Sequence, residues 1–333
     1  HLPQTHAVVK LLRLIAELIS SDIKLLTETN VPLAENLSYF GDGDEAHIVY
    51  NFPLPPLLTH ALLTGTGRHL TAWCQSLPAL PAGCTYLNFA ASHDGIGLRP
   101  AEGILSEAET QQMVGCIRGF GGLVTERQLP DGSLRPYEAN VSLFDALKGT
   151  VDGEDEWQVE RFLISQCLMM SMAGVPAIYY NSVLAAPNNL SGVAETGRNR
   201  TINRKKWTVD EVDMVLADSK GASSRVLAGM KEMLAIRGQH LAFHPEAAQE
   251  CLDIDGRLFA LIRRPRDGGN ALLCLFNLSR HVVVVEPSAR MSLHQVDTVF
   301  SLGEVTHNDG VIECSPYGAA WLEVTMGNLA QGQ

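Results

Sequence analysis

Only 19% of the 333 residues are charged, and basic side chains are the minority among them, 25 Lys and Arg against 37 Asp and Glu, for a formal net charge of −12. Phosphate-rich partners are met by a spread of cations, so this deficit argues against a general nucleic-acid surface or an anionic-membrane surface and favours small-molecule partners. The seven cysteines (Cys74, Cys84, Cys116, Cys167, Cys251, Cys274 and Cys314) are odd in number and include no C-x-x-C pair. Neither a disulfide framework nor a zinc site is suggested, and reduced thiols in a cytoplasmic protein fit best. A phosphate-cradling glycine loop is also missing, because Gly95-Ile96-Gly97 lacks the third glycine of a dinucleotide fingerprint. Residues 162–194 carry no Asp, Glu, Lys or Arg, but Gln166, Ser171, Gly174-Val175-Pro176 and Asn188-Asn189 interrupt the apolar run. That window reads as a buried helix leading into a buried strand rather than a membrane span. The opening His-Leu-Pro-Gln-Thr-His has no targeting character, and a segment upstream of His1 is expected.

What is present is an apolar fraction of 46%, enough at this length for one large core of roughly 250 residues and a smaller second one. Helical spacing of Val8, Leu11, Leu12, Ile15, Leu18 and Ile19 predicts a helix over 6–19. Short strands are expected at 23–28, 46–52, 85–91 and 177–180. A proline-broken apolar helix should run through Leu63, a second helix from the S-x-x-E capping box of Ser106 and Glu109 to about residue 119, and a long third one up to Gly174. Short strands alternating with helices imply right-handed βαβ units around a parallel sheet. After about Pro245 the helices cease. Strands at 257–264, 271–277, 281–286, 296–300 and 318–324, with a hairpin turn at Asp267-Gly268-Gly269, predict a separate antiparallel sandwich. The expected division is therefore 1–245 and 246–333.

Two carboxylates stand at the carboxyl ends of expected parallel strands, Glu28 after the first and Asp94 after the third. In a closed parallel barrel those ends form the catalytic face, although a strand-end acid is also an ordinary helix cap or solvated loop residue. Taken together they suggest glycosidic chemistry, in which one carboxyl donates a proton and others support an oxocarbenium-like transition state. Asp42, Asp44 and Glu45 lack the spacing of a calcium loop and read as structural, and His47 reads as a core histidine. No metal site is expected.

Four motifs carry a resemblance: Thr27-Glu28-Thr29-Asn30-Val31-Pro32, the run Tyr39 to His47, Ala91-Ser92-His93-Asp94-Gly95-Ile96-Gly97-Leu98-Arg99-Pro100, and Thr201-Ile202-Asn203-Arg204. They resemble the sucrose phosphorylase branch of the α-amylase clan, within it the glucosylglycerate phosphorylase type. The resemblance implies an α/β fold, the C-terminal half of a (β/α)8 TIM barrel (strands five to eight) followed by a small antiparallel β-sandwich domain. By the same resemblance Glu28 is the general acid/base and Asp94 the transition-state stabiliser. His93, Arg200 and Asn30 fall at substrate-binding positions, and Tyr137 and Glu138 match the acceptor-contacting pair of a mobile loop. Arg135 is a candidate for holding phosphate or an acceptor carboxylate. In residue terms alone, the basic cluster 195–206 is equally a solvated loop, and 130–140 an ordinary turn-rich surface connection.

The family's Asp nucleophile, in an Arg-x-Asp motif ending strand four, belongs before the 6–19 helix and has no counterpart in this chain. The expectation is thus a retaining α-glucosyl phosphorylase truncated at its N-terminus, with inorganic phosphate as co-substrate, no cofactor, and glyceric acid as the leading acceptor. Sucrose or sucrose-6-phosphate phosphorylase, an α-glucoside hydrolase, and a non-catalytic remnant are the alternatives, and assembly as a homodimer is left open.

Overall fold

The computed structural model describes residues 2–266, 268–286, 293–308 and 310–326. Its centre is a four-stranded parallel sheet, in chain order Leu26–Thr27, Ile48–Tyr50, Thr85–Phe89 and Val175–Ala177. Leu26 pairs with Ile48, Val49 with Tyr86, and Phe89 with Ala177. The crossovers between parallel neighbours contain helices as expected, among them Leu54–Thr64, Arg68–Ser76, Glu107–Gly119 and Gln158–Ser171. A buried amide layer ties the sheet together: Asn51 Nδ2 donates to Asn88 Oδ1 (2.9 Å), and Asn88 Nδ2 donates to the carbonyl of Ala173 (3.0 Å).

The fourth strand runs from Val175 to Ala177, two residues ahead of the expected 177–180, and a helical turn, Tyr180–Val183, begins at the end of that range; Gly174-Val175-Pro176 has the composition of a turn, yet two of its residues are strand. Gly174, at φ +134°, brings the chain so close to the third strand that a Cβ there would lie 2.7 Å from the Tyr86 carbonyl. Pro176 has no N–H to donate, which an edge strand tolerates.

The 130–140 segment differs from its reading as a turn-rich loop in the same way. Leu134–Asn140 is a strand between Leu123–Gln128 and Ile96–Gly97, antiparallel to both, and only its tip turns. There Gly132 sits at φ +85° and Asp131 Oδ1 accepts from the Ser133 amide (2.9 Å). Pro136 lies beside a register shift at Thr125/Glu126, where its missing donor is absorbed.

The capping box is realised: Ser106 Oγ accepts from the Glu109 amide (3.2 Å), and Glu109 Oε2 accepts from the Ser106 amide (2.8 Å). The Asp42–Glu45 loop is structural, with Lys10 on Asp44 (2.9 Å) and His6 Nδ1 on Glu45 (2.7 Å). His47 is buried and its Nδ1 accepts from the Leu25 amide (2.9 Å). These contacts dock the polar side of the helix Pro3–Ile19 and leave Leu11, Leu12, Ile15, Leu18 and Ile19 exposed.

Beyond residue 245, the strands Ala248–Leu252, Leu258–Arg264, Ala271–Asn277, Ala319–Met326 and Leu293–Leu302 form an antiparallel sheet in that spatial order. A three-stranded sheet of Val283–Val285, Val311–Cys314 and Val305–Asn308 covers one face of it. The sandwich is present, with three strands (248–252, 305–308 and 311–314) that the sequence reading did not include. Of the expected hairpin turn, Asp267 lies outside the described residues, while Gly268 and Gly269 have φ +83° and +112°. Alternate side chains divide the larger sheet. Ala260, Ile262, Leu273 and Leu275 face the smaller sheet, whereas Phe259, Leu261, Cys274, Phe276 and Trp321 join the core of the helices 54–64 and 158–171. Two buried arginines stitch this seam. Arg161 pairs with Asp155 and donates to the Tyr317 hydroxyl (3.2 Å), and Arg263 donates to the carbonyls of Ser171 (2.7 Å) and His244 (3.0 Å). No helix among the described residues is long and apolar enough to cross a membrane.

His60 in the Leu54–Thr64 helix is 3% exposed and its Nε2 has no hydrogen-bond partner among the described residues. Burial pushes its pKa below 6.5; His69 pushes the same way and Glu109 opposes. The unfolded chain therefore binds this proton more readily, so the stabilisation is complete above pH 6.5 and declines as pH falls below it. The drop in Tm between about pH 7.5 and about pH 5.5 should be smaller for His60→Leu than for the wild type, a remainder coming from His47, whose pKa burial also lowers. Equal drops by thermal circular dichroism would refute the assignment.

Candidate active site

Because the strands run parallel, their carboxyl ends share one face, and a cavity of about 210 Å3 opens there. Glu28 follows the first strand. Its loop is fixed by Asn36, which is buried: Thr29 Oγ1 donates to Asn36 Oδ1 (2.9 Å), and Asn36 Nδ2 donates to the Tyr50 carbonyl (2.7 Å). The Glu28 carboxylate makes no hydrogen bond or ion pair with a described residue and is exposed toward the cavity it lines. Beside it, Tyr50 is held above the ordinary phenol pKa by burial and by the Glu28 charge.

Tyr50 and Phe52, two apart and so on one side of the extended chain, stack at 5.5 Å between centroids. Phe89, closing the third strand, meets both edge-on at 5.4 and 5.5 Å. These three rings make the apolar wall.

Asp94 sits in the loop after the third strand, held from three directions. Its amide donates to Ser92 Oγ (3.1 Å), Asn203 Nδ2 donates to the carbonyls of Ser92 (3.0 Å) and Asp94 (2.6 Å), and Arg204 Nε donates to that of His93 (2.7 Å). Two guanidiniums converge on Asp94 Oδ1, Arg200 Nη1 at 2.8 Å and Arg204 Nη2 at 2.9 Å. Oδ2 is left without a partner among the described residues.

Glu138 enters from the hairpin strand and is 4% exposed. Arg200 grips it bidentately, Nε on Oε1 (3.0 Å) and Nη2 on Oε2 (2.6 Å), and Asn140 Nδ2 also donates to Oε1. The Glu138 bonds, with Asp94 adding to them, raise the Arg200 pKa further. The Asp94 loop lies flat on this strand only because residue 95 is glycine: a Cβ there would stand 2.6 Å from the Ala139 carbonyl and 2.7 Å from Glu138 Cγ. Asn30 Oδ1 and Asn203 Oδ1 are buried acceptors without a partner among the described residues, and both residues line the same cavity.

Of the residues singled out from the sequence, Glu28, Asp94, Asn30, Tyr137, Glu138 and Arg200 line this one cavity. His93 does not. Its side chain is 62% exposed, with Nε2 3.7 Å from Asp94 Oδ1. Arg135 lines a separate shallow hollow, 4.0 Å from Glu102 and 3.9 Å from Glu107. Asn203 and Arg204, which clamp the Asp94 loop, and the aromatic trio had no assigned role. The alternation of Tyr50 and Phe52 at a strand end is the signal that marks the latter. Next to the cavity a second, outer chamber of about 530 Å3 shares the wall of Tyr137, Glu138 and Arg200.

No family model matches the chain. A glucosylglycerate phosphorylase of Spirochaeta thermophila is 42% identical over 279 residues, which cover 84% of this chain and 47% of the relative. One from Escherichia coli (strain K12) is 38% identical over 326 residues, 97% of this chain and 56% of the relative. The likeness is to glucosylglycerate phosphorylases. The chain spans about half the length of these curated relatives. Among solved structures, sucrose 6F-phosphate phosphorylase from Thermoanaerobacter thermosaccharolyticum superposes with TM-score 0.66 at 18% identity, covering 82% of this chain and 51% of that one. The α-amylase of H.orenii superposes with TM-score 0.65 at 11% identity, covering 97% and 57%. These give the fold as α/β of the α-amylase kind, and the identity to glucosylglycerate phosphorylases bears out the resemblance read from the motifs.

Removing Arg200 leaves Glu138 buried without its cation. Because the Arg200 side chain is itself 46% exposed, solvent screening keeps the cost at the lower end, about 1–2 kcal/mol for Arg200→Leu. Adding Glu138→Gln should recover part of that loss in a double-mutant cycle followed by denaturant unfolding. Strictly additive losses would show that the pair is not coupled.

Proposed function

We propose that this chain is the carboxyl-terminal portion of a retaining α-glucosyl phosphorylase that interconverts glucosylglycerate and phosphate with α-glucose 1-phosphate and glycerate. The observation that carries the reading is the convergence of Glu28, Asp94 and the Arg200–Glu138 pair on one cavity at the ends of parallel strands. The phosphorylase relatives at 42% and 38% identity support it. In this reading the parallel sheet supplies strands five to eight of a (β/α)8 barrel, residues 1–245 are its catalytic part and 246–333 the accessory β domain. The nucleophilic carboxylate comes from the half of the relatives that this chain does not span.

Glu28 gives a proton to the glycosidic oxygen as the C1–O bond breaks and the nucleophile forms a β-glucosyl ester. In the second half-reaction a phosphate oxygen attacks C1, the ester bond breaks, and Glu28 takes the proton that phosphate gives up. A general acid needs freedom to meet the leaving oxygen, and Glu28 has no competing hydrogen bond among the described residues. Asp94 has the opposite requirement. With Oδ1 fixed by two arginines, Oδ2 is available to ring hydroxyls and binds them more tightly as the ring flattens. Asn30 Oδ1 and Asn203 Oδ1, acceptors without a partner among the described residues, are suited to further sugar hydroxyls, and the aromatic wall suits the apolar face of the ring.

Two measurements on the encoded protein test the reading. With glucosylglycerate as substrate, glucose 1-phosphate should form only when phosphate is added; free glucose as the sole product would replace phosphorolysis by hydrolysis. Glu28→Gln should lose at least about 100-fold in kcat on glucosylglycerate while transfer from a donor with a good leaving group, such as α-glucosyl fluoride, falls much less. Equal losses with both donors would remove Glu28 from the acid/base role.

A further inference from the structure

Three guanidiniums line the outer chamber, Arg198, Arg200 and Arg204, in a chain of net charge −12. Their bonding differs. Arg200 is fully engaged, with Nη1 on Asp94 and its other nitrogens on Glu138. Arg204 uses Nε on the His93 carbonyl and Nη2 on Asp94. The Arg198 guanidinium makes no hydrogen bond or ion pair with any described residue; its bonds are of the backbone, the N–H donating to Thr196 Oγ1 at 3.3 Å and the carbonyl accepting from the Thr201 amide at 3.0 Å.

The backbone around Arg198 is firmly built. The helix Leu190–Thr196 ends on Gly197 at φ +65°, a left-handed cap that turns the chain into the 3-10 turn Asn199–Asn203. Next to Arg198, Asn199 Nδ2 donates to Thr125 Oγ1 (3.3 Å), and Thr125 Oγ1 donates to Asn140 Oδ1 (2.7 Å). Asn140 is the residue that also holds Glu138. Arg198 is thus anchored on the same network as the inner cavity.

Charge accounting then singles it out. Glu138, the carboxylate in the chamber's lining, and Asp94, in the inner cavity behind it, are already matched by Arg200 and Arg204, so the Arg198 charge is uncancelled on a concave surface. A guanidinium in that position is a fork of donors for an oxyanion. Size points the same way. The inner cavity of about 210 Å3 falls below the ~300–1,000 Å3 of ordinary small-molecule sites and reaches that range only with the adjoining chamber of about 530 Å3. A sugar held within leaves its exchange partner to the chamber outside. Arg135, the arginine that the sequence suggested for an anion, lies elsewhere beside Glu102 and Glu107.

We propose that Arg198 determines specificity by binding, in the outer chamber, the oxyanion of the species that exchanges with the glucosyl unit. This rests on the phosphorylase reading. The anion has two sources, the carboxylate of an acid acceptor or inorganic phosphate, and both are measurable in the encoded enzyme. With glucose 1-phosphate as donor, the kcat/KM ratio of glycerate over glycerol, its uncharged counterpart, reports the carboxylate. The KM for phosphate in the reverse direction reports the other source. Arg198→Ala should lower the ratio, or raise the phosphate KM, by about 10- to 100-fold, the worth of a lost charge-assisted bond, and Arg198→Lys should recover part of it. A change in the ratio assigns the subsite to the acceptor, and a change in the phosphate KM assigns it to phosphate. If the wild type is active and neither quantity moves, Arg198 is a solvated surface arginine and the proposal fails. If the wild type shows no transfer, the phosphorylase reading fails instead, and the subsite is judged by whether phosphate or glycerate raises the wild-type Tm and loses that effect in Arg198→Ala; no Tm effect in the wild type overturns it too.

Discussion

The site depends on one guanidinium. Glu138 is almost wholly removed from water, and an ionised carboxylate there costs several kcal/mol unless it is paired and hydrogen-bonded. Arg200 meets that requirement with two bonds and turns its remaining nitrogen to Asp94, so a single planar group joins the hairpin strand, the loop after the third parallel strand and the turn at 199–203. Everything else in the cavity is arranged around that bridge. Gly95 lets the Asp94 loop lie against the strand carrying Glu138, and Arg204 and Asn203 fix the loop's carbonyls so that Asp94 cannot swing away from Arg200.

The division of labour between the two strand-end acids follows from this. Asp94 is immobilised through one oxygen by two cations, whereas Glu28 has no hydrogen-bond or ion-pair partner among the described residues and is placed by the loop that Asn36 fixes through Thr29 and Tyr50. A group that must hold charge in place and a group that must exchange a proton need these opposite environments, and the proposed roles assign them accordingly.

Much of the frame was legible in linear order. Apolar periodicity and the Ser106–Glu109 box announced the helices, and strands separated by helices announced a parallel sheet with Glu28 and Asp94 at its carboxyl ends. The misreadings have local causes. Gly-Val-Pro reads as a turn although an edge strand accepts proline, and the Asp-Gly-Ser tip of the hairpin masked the strand that continues from it through Pro136. Short strands such as 305–308 and 311–314 carry too few residues for an alternation to register. Within the site, neighbours in sequence diverge: His93 adjoins Asp94 but is exposed and does not line the cavity, while Arg204, distant in sequence, donates a hydrogen bond to Asp94. No linear spacing encodes a contact of that range.

The larger antiparallel sheet is buried on both faces, one against its own smaller sheet and the other against the helices that back the parallel strands, with Arg161 and Arg263 crossing the seam. It is therefore a structural wall of the part built on the parallel sheet rather than an appendage. In evolutionary terms this makes the boundary near residue 245 a poor point for recombination. A sheet exchanged from another protein would have to supply not only complementary apolar side chains but also the tyrosine that Arg161 reaches and an arginine placed, like Arg263, to meet the carbonyls of Ser171 and His244, so the two halves of this chain are constrained to diverge together.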